Sequence, residues 1–217
     1  MNYVAVDTAS KVLKVLVECN GKREYFESAD FKTASTSLMP ELDACLKRMG
    51  ASLAEMDFYA CVIGPGSFTG IRIGMATVKA FAYAFNKPVV AVTSLQLLAY
   101  NSVGEDTVIA VTDASNGMRY LAVYDDKMNE LLPPSCMSKE ELAEFLKTVD
   151  EPYGIYSDEV LAEEVNGKTP QSFENAFVRA VIANSACLID GNVLEPIYIR
   201  KPQAERDLEL KNGKTGN

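Results

Sequence analysis

Eleven residues near the middle of the chain, Gly64-Pro65-Gly66-Ser67-Phe68-Thr69-Gly70-Ile71-Arg72-Ile73-Gly74, hold four glycines, a proline and two hydroxyl residues. The apolar run Phe58–Ile63 precedes them and a long apolar segment, Met75 to Phe85, follows. This order predicts a strand, a tight glycine turn and a helix. Glycine gives the backbone the freedom such a turn needs. It also leaves N–H groups bare at a helix N-terminus, where an anion can sit. The familiar phosphate fingerprints do not match, however. There is no Gly-Lys-Ser/Thr ending, and the Gly64-x-Gly66-x-x-x-Gly70 spacing misses the dinucleotide pattern by one residue. The turn therefore has two readings, an anion site or a device for close packing.

The absence of histidine narrows the chemistry further. It removes the commonest general base and the commonest transition-metal ligand, and with them Ser–His triads, Cys–His dyads and His-based zinc sites in this chain acting alone. The five cysteines are scattered, with no C-x-x-C pair. They read as small buried hydrophobes in a reducing compartment. A net charge of −9 and a pI near 4.7 oppose tight binding of a phosphate backbone. With 217 residues, 48% of them hydrophobic, the chain can bury a core as one large domain or two small ones. It has no segment of transmembrane length. Its opening, Met1-Asn2-Tyr3-Val4-Ala5-Val6-Asp7, is expected to be a first strand rather than a signal peptide. The expectation is a cytoplasmic protein with no membrane partner.

Periodicity supplies the remaining elements. Lys11 to Glu18 alternates as a strand, Asn20-Gly21 marks a hairpin, and Lys22 to Ser28 returns. Ser37 to Met49 has Leu38, Leu42, Cys45, Leu46 and Met49 at helical spacing, with Pro40 expected in the first turn. Helices are also predicted over Gly70–Phe85, from Thr93 or Ser94 to Tyr100, from Ser138 to Thr148 with Ser138 and Glu141 in capping-box register, and over Phe173–Leu188. Strands are predicted at Pro88–Val92, Val108–Ser115, Arg119–Tyr124 and Tyr153–Ser157, and a short extended segment at Pro196–Arg200. Ala5, Val6, Ala9 and Ser10 recur as Ala110, Val111, Ala114 and Ser115, each followed by a turn and an alternating strand. Two such halves suggest a duplicated α/β fold, with the two small turns facing each other across a cleft. The division expected is residues 1–104, residues 105–200, and a polar, mobile tail over 201–217.

Three stretches carry a family resemblance: Ala5-Val6-Asp7-Thr8-Ala9, the Gly64–Gly74 motif, and Pro196-Ile197-Tyr198-Ile199-Arg200. Together with the element order over residues 1–200, they resemble the TsaB (YeaZ) family of bacterial tRNA modification proteins. The resemblance implies an actin-like (ASKHA, RNase H-like) fold with two subdomains of mixed sheet flanked by helices. It implies a non-catalytic subunit that dimerises with a paralogue, TsaD, and activates it. TsaD transfers a threonylcarbamoyl group to N6 of adenosine 37 in tRNA, and an ATPase, TsaE, completes the complex. It further implies that ATP and magnesium act through those partners, that this chain holds no tightly bound cofactor, that tRNA is met only through the complex, and that the free chain is a homodimer. The His-x-x-x-His metal pair of TsaD is missing; that region reads Ala91-Val92-Thr93-Ser94-Leu95-Gln96-Leu97-Leu98. Many members carry a histidine just before the first helix, and Ala34 stands at about that place here.

No catalytic or metal-ligating residue is assigned on this reading. Asp7, Thr8, Ser10, Gly64, Gly66 and Ser67 are the candidates for a vestigial phosphate or nucleotide site. Asp7 either contacts phosphate through metal or water, or fixes the turn that follows it; the missing phosphate-site partners favour the second. The helix over Ile71–Phe85 has only Arg72 and Lys79 as charges, and a helix apolar nearly all round is buried on most sides. Close packing and a partner interface are therefore favoured over phosphate. The interface is placed on Leu38, Met39, Leu42 and Cys45 of the first helix and on Arg72, Met75, Ala76, Lys79, Ala80 and Tyr83 of the second, although the Leu38, Leu42, Cys45 stripe is by default ordinary core, with Met39 off it extending the apolar area. The competing functions are a stand-alone small-molecule kinase of the same fold, a metallopeptidase-like enzyme, and a chaperone-like nucleotide sensor.

Overall fold

The computed structural model describes residues 1–28, 34–102, 104–150, 152–157 and 159–201. The expected tail lies outside the described residues beyond Lys201. β1 (Tyr3–Asp7), β2 (Lys14–Cys19), β3 (Lys22–Glu27), β4 (Phe58–Val62) and β5 (Val89–Val92) form the first sheet, in the order β3-β2-β1-β4-β5. β1 runs antiparallel to β2 and parallel to β4. Asn20 and Gly21 both take the left-handed conformation that the β2–β3 hairpin needs. The second sheet comprises β6 (Thr107–Asp113), β7 (Met118–Asp125), β8 (Glu130–Ser138) and β9 (Tyr153–Ser157), in the order β8-β7-β6-β9. It repeats the first with one strand fewer, down to the parallel pairing of β6 with β9.

Helices sandwich both sheets. Alternation along β1 sends Val4 and Val6 to one face and Tyr3, Ala5 and Asp7 to the other. α1 (Ala34–Met49) and α2 (Phe68–Phe85) cover the Val6 face, while α6 (Phe173–Asn184) covers the opposite one and buries Phe177, Ala180 and Val181 there. α3 (Ser94–Ala99) packs Leu95, Leu98 and Ala99 against Val108 and Ala110 of the second sheet, and it also touches α6. α4 (Lys139–Leu146) and α5 (Glu159–Val165) lie on the outer face of that sheet. α3 and α6 therefore stack between the sheets. The boundary expected at residue 104 falls between the two sheets, while α3 contributes to both cores and α6 covers the first sheet.

Several expected elements shift. α1 begins at Ala34, so Pro40 lies in the helix interior rather than its first turn. α6 ends at Asn184, four residues before the expected Leu188. β8 was not expected at all. Its Pro133-Pro134 pair reads against a strand, but β8 is an edge strand bonded only to β7, where proline is tolerated. The register shifts between Leu121 and Val123, opposite these prolines. α5 was also unexpected. Residues 196–200 carry no regular structure. Of the cysteines, Cys19, Cys45 and Cys61 are buried as expected, but Cys136 is half-buried and Cys187 exposed. Full burial pushes the Cys61 thiol up to about 12.

Candidate functional site

Lys14 is the residue on which the first turn depends. It opens β2 directly opposite Asp7, the last residue of β1. Both side chains are buried, with the ammonium 2.9 Å from Asp7 Oδ2 and 2.8 Å from Ser10 Oγ. Asp7 Oδ1 accepts from the backbone N–H groups of Ala9 and Ser10, and Oδ2 also accepts from the Ser10 hydroxyl. The lysine stem lies against α6, its Nζ 4.5 Å from the centre of the Phe173 ring. Asp7 thus fixes the turn and is neutralised inside the protein.

The glycine motif closes over this turn from the other side. A Cβ on Gly70 would sit 1.8 Å from the Thr8 carbonyl oxygen, one on Gly66 2.4 Å from that of Ala9, and one on Gly74 2.5 Å from Thr8 Oγ1. The Thr8 hydroxyl donates to the Gly70 carbonyl at 2.6 Å, and Ser67 N donates to Ala9 O. Ser67 caps α2 by accepting from Gly70 N. Gly66 and Gly70 are required because the backbone of one element rests on another, and Gly74 because the Thr8 side chain lies against it. Gly64, at φ +107° and joined to Pro65 by a cis peptide bond, makes room for the Ile197 carbonyl.

Between the two sheets lies a cleft of about 820 Å³. Asp7, Ser10, Gly66 and Ser67 line it from the first half, and Asp113 and Ser115 from the second. Thr8 is buried behind the turn and Gly64 lies beneath residue 197; neither lines the cleft. A metal-bound phosphate needs carboxylate oxygens aimed into the cleft, and those of Asp7 are already bonded to the turn and to Lys14. Among the described residues, no three His, Cys, Asp or Glu side chains gather closely enough to hold a metal ion. The first turn does not fit a metal-bound nucleotide phosphate.

The interface candidates divide into two groups. Met39, Arg72, Ala76, Ala80 and Tyr83 are exposed, Tyr83 at 88%, and Lys79 is half-buried. Leu38, Leu42, Cys45 and Met75 are buried in the first core. These four are corrected: they are the inward face of α1 and α2 and cannot form an outer surface. Sequence reasoning gave Lys14 no role. The signal was a lysine in an apolar strand, opposite an aspartate once the hairpin register is drawn.

The fold defines an actin-like α/β protein whose β1–β2 turn is held by a buried Asp7–Lys14 pair. The family model described as "TsaD: tRNA N6-adenosine threonylcarbamoyltransferase" matches residues 31–180. The tRNA threonylcarbamoyladenosine biosynthesis protein TsaB of Bacillus subtilis is 30% identical over 158 residues, covering 70% of this chain and 69% of that protein. TsaB of Escherichia coli is 30% identical over 133 residues, covering 59% of this chain and 57% of the relative. For TsaB of Haemophilus influenzae the match is 25% identical and spans 60% of this chain and 52% of the relative. The structure of YeaZ from Pseudomonas aeruginosa superposes with a TM-score of 0.74 at 22% identity, covering 91% of this chain and 99% of that one. The chain belongs to the TsaB (YeaZ) family.

Proposed function

We propose that this chain is a non-catalytic subunit of the machinery that makes threonylcarbamoyladenosine in tRNA, docking on and activating a TsaD-type threonylcarbamoyltransferase. The names of its relatives place them in that biosynthesis. One observation carries the subunit reading. The Asp7 carboxylate is engaged by Lys14 inside the β1–β2 turn, while α2 presents a stripe of Ala76, Ala80 and Tyr83 to solvent. Small residues at this spacing let another backbone approach closely, and the charges of Arg72 and Lys79 at its rim set orientation. On this reading ATP and magnesium act through the TsaD and TsaE partners in the cytoplasm, the acidic chain meets tRNA only within the complex, and the free protein covers the stripe by self-association.

The test is Ala76→Glu. Its side chain points to solvent in the free chain, so circular dichroism should be unchanged. Docking would bury an unpaired carboxylate, and both the self-dimer and the TsaD complex should weaken by roughly a hundredfold or more in light-scattering chromatography. A folded variant that forms both complexes normally places the interface elsewhere. The cleft keeps a second reading in play, that of a nucleotide-binding enzyme. Titration calorimetry with ATP and Mg²⁺ on the isolated chain separates the two: tight binding accompanied by turnover would favour the enzyme.

A further inference from the structure

We infer that Arg72 is a positioning residue that links the docking face of α2 to the cleft through a strap formed by residues 197–200. The role of α2 as a docking face rests on the function proposed above; the link itself is a property of the free chain. The strap crosses from one half to the other: Ile197 and Tyr198 contact the first half, Ile199 and Arg200 the second. Ile197 packs on the first core and Ile199 on the second. Ile197 N donates to Ile63 O at 2.9 Å, directly before the glycine motif, and the missing side chain of Gly64 leaves space for the Ile197 carbonyl. At the far end, Arg200 donates to the carbonyl oxygens of Ala114 and Ser115, in the turn between β6 and β7. That turn is the second wall of the cleft; within it Ala114 N donates to Met118 O, Met118 N to Ser115 O, and Ser115 N to Asp113 Oδ1.

Arg72 holds the middle of the strap from outside. Its Nε donates to the Tyr198 hydroxyl at 3.1 Å, and its guanidinium lies 3.9 Å over the Phe68 ring. The Phe68 and Tyr198 rings pack with centroids 4.6 Å apart. Yet Arg72 is exposed and shares the outer face of α2 with Ala76, Ala80 and Tyr83. A protein seated on that face meets the guanidinium. An acidic side chain on the partner competes with Tyr198 for it, because a charge-assisted bond to a carboxylate outweighs one to a neutral phenol. Docking then releases Tyr198, loosens the strap and frees the β6–β7 turn. The two-state element is the strap, closed when Arg72 holds Tyr198 and open when a partner holds Arg72.

Amide hydrogen exchange on the free, full-length protein tests this. Arg72→Ala should mimic docking and speed exchange at Ala114, Ser115 and Met118 about five-fold, the worth of one lost hydrogen bond, although Arg72 does not touch that turn. Arg200→Ala, which removes the donor itself, should do so at least as strongly. Tyr198→Phe keeps the ring packing and loses only the hydroxyl, so it repeats the effect should Arg72→Ala fold poorly. Exchange in the middle of β6 and in α4 should stay at the wild-type rate. No acceleration at the turn in any of these variants, or an equal acceleration in β6 and α4, overturns the inference. Ala76→Glu serves as the separating control. It should weaken docking and self-association while leaving exchange at the turn at the rate of monomeric wild type, both measured at a dilution where the wild type is monomeric, so a failure of the docking reading is distinct from a failure of the strap.

Discussion

The β1–β2 turn and the β6–β7 turn begin from nearly the same sequence and end in different physical states. Each has an aspartate at the end of the first strand and a cation at the start of the second, paired across the hairpin: Asp7 with Lys14, and Asp113 with Arg119. In the first turn both partners are all but fully buried and the glycine motif is pressed against the loop. In the second, Asp113 keeps 36% of its side chain exposed and lies 3.3 Å from Arg119, whose other nitrogen grips both oxygens of Glu164 at 2.9 Å. Gly117 there would meet nothing if it gained a Cβ. Duplication thus supplied one hairpin design twice. Burial turned one copy into a sealed structural joint and left the other as the open wall of the cleft, held from outside by the strap.

The largest difference between the two should appear when each cation is removed. Lys14→Ala leaves a carboxylate buried without its counter-charge, and a broken buried pair costs about 3–5 kcal/mol. Arg119→Ala leaves Asp113 and Glu164 in contact with water, and should cost about 1–2 kcal/mol. Urea denaturation of the two variants measures both. The double change Asp7→Asn with Lys14→Met should recover most of the first loss, since an apolar replacement for a buried pair is often neutral. Equal losses at the two turns would mean that burial does not set their difference.

Most of this contrast was hidden in the sequence, for identifiable reasons. The strands of the first sheet, the capped helices and the strand–turn–helix around Gly64 follow from periodicity and turn chemistry, and the repeat of Ala5-Val6 as Ala110-Val111 disclosed the duplication. Burial of Lys14 was not legible, because a lysine in an alternating strand reads as solvent-facing until α6, far along the chain, is laid over it. The same holds for the interface. Leu38, Leu42, Cys45 and Met75 have the composition of a contact surface, and only the sheet beneath them shows that they are already covered. On α2, alanine is small enough to suit either face, so the pattern could not separate the buried side from the exposed one. β8 was concealed by its two prolines, which speak against a strand unless it is known to lie at an edge.

The glycines sharpen the comparison by a second route. In Gly70→Ala the new methyl meets the Thr8 carbonyl at 1.8 Å, too close for a side chain to yield, so α2 must move off the first turn. A loss of about 3 kcal/mol is expected, at the upper end for overpacking. Gly117→Ala meets open space and bears only the cost of its φ of +74°, about 1 kcal/mol. Thermal denaturation of both variants checks the order. A Gly70→Ala protein as stable as Gly117→Ala would mean that the close approach of α2 to the first turn contributes nothing.

Acid should weaken the second turn through a group that can be singled out. Arg119 holds the Glu164 carboxyl below the ordinary glutamate range, first through its hydrogen bonds to the carboxylate and then through its charge, with Lys139 adding to the effect. A carboxylate whose folded pKa is depressed binds fewer protons in the folded than in the unfolded state. Its stabilising contribution is therefore complete above the unfolded value, near pH 4.3, and is lost as the pH falls through the lower, folded one. Asp125, lowered mainly by its bond to Asn129, titrates on the same acid limb, so the wild-type curve alone does not isolate Glu164. The difference between wild type and Glu164→Gln does. That difference in urea midpoint should be greatest at neutral pH and shrink toward zero below the usual glutamate range. Arg119→Met should remove most of this pH dependence of the difference, leaving the smaller part that Lys139, 3.6 Å from the Glu164 carboxylate, supplies. A Glu164→Gln difference that stayed constant from neutral pH down to about pH 3 would show that Arg119 acts on Glu164 as a packing contact and not as a charge.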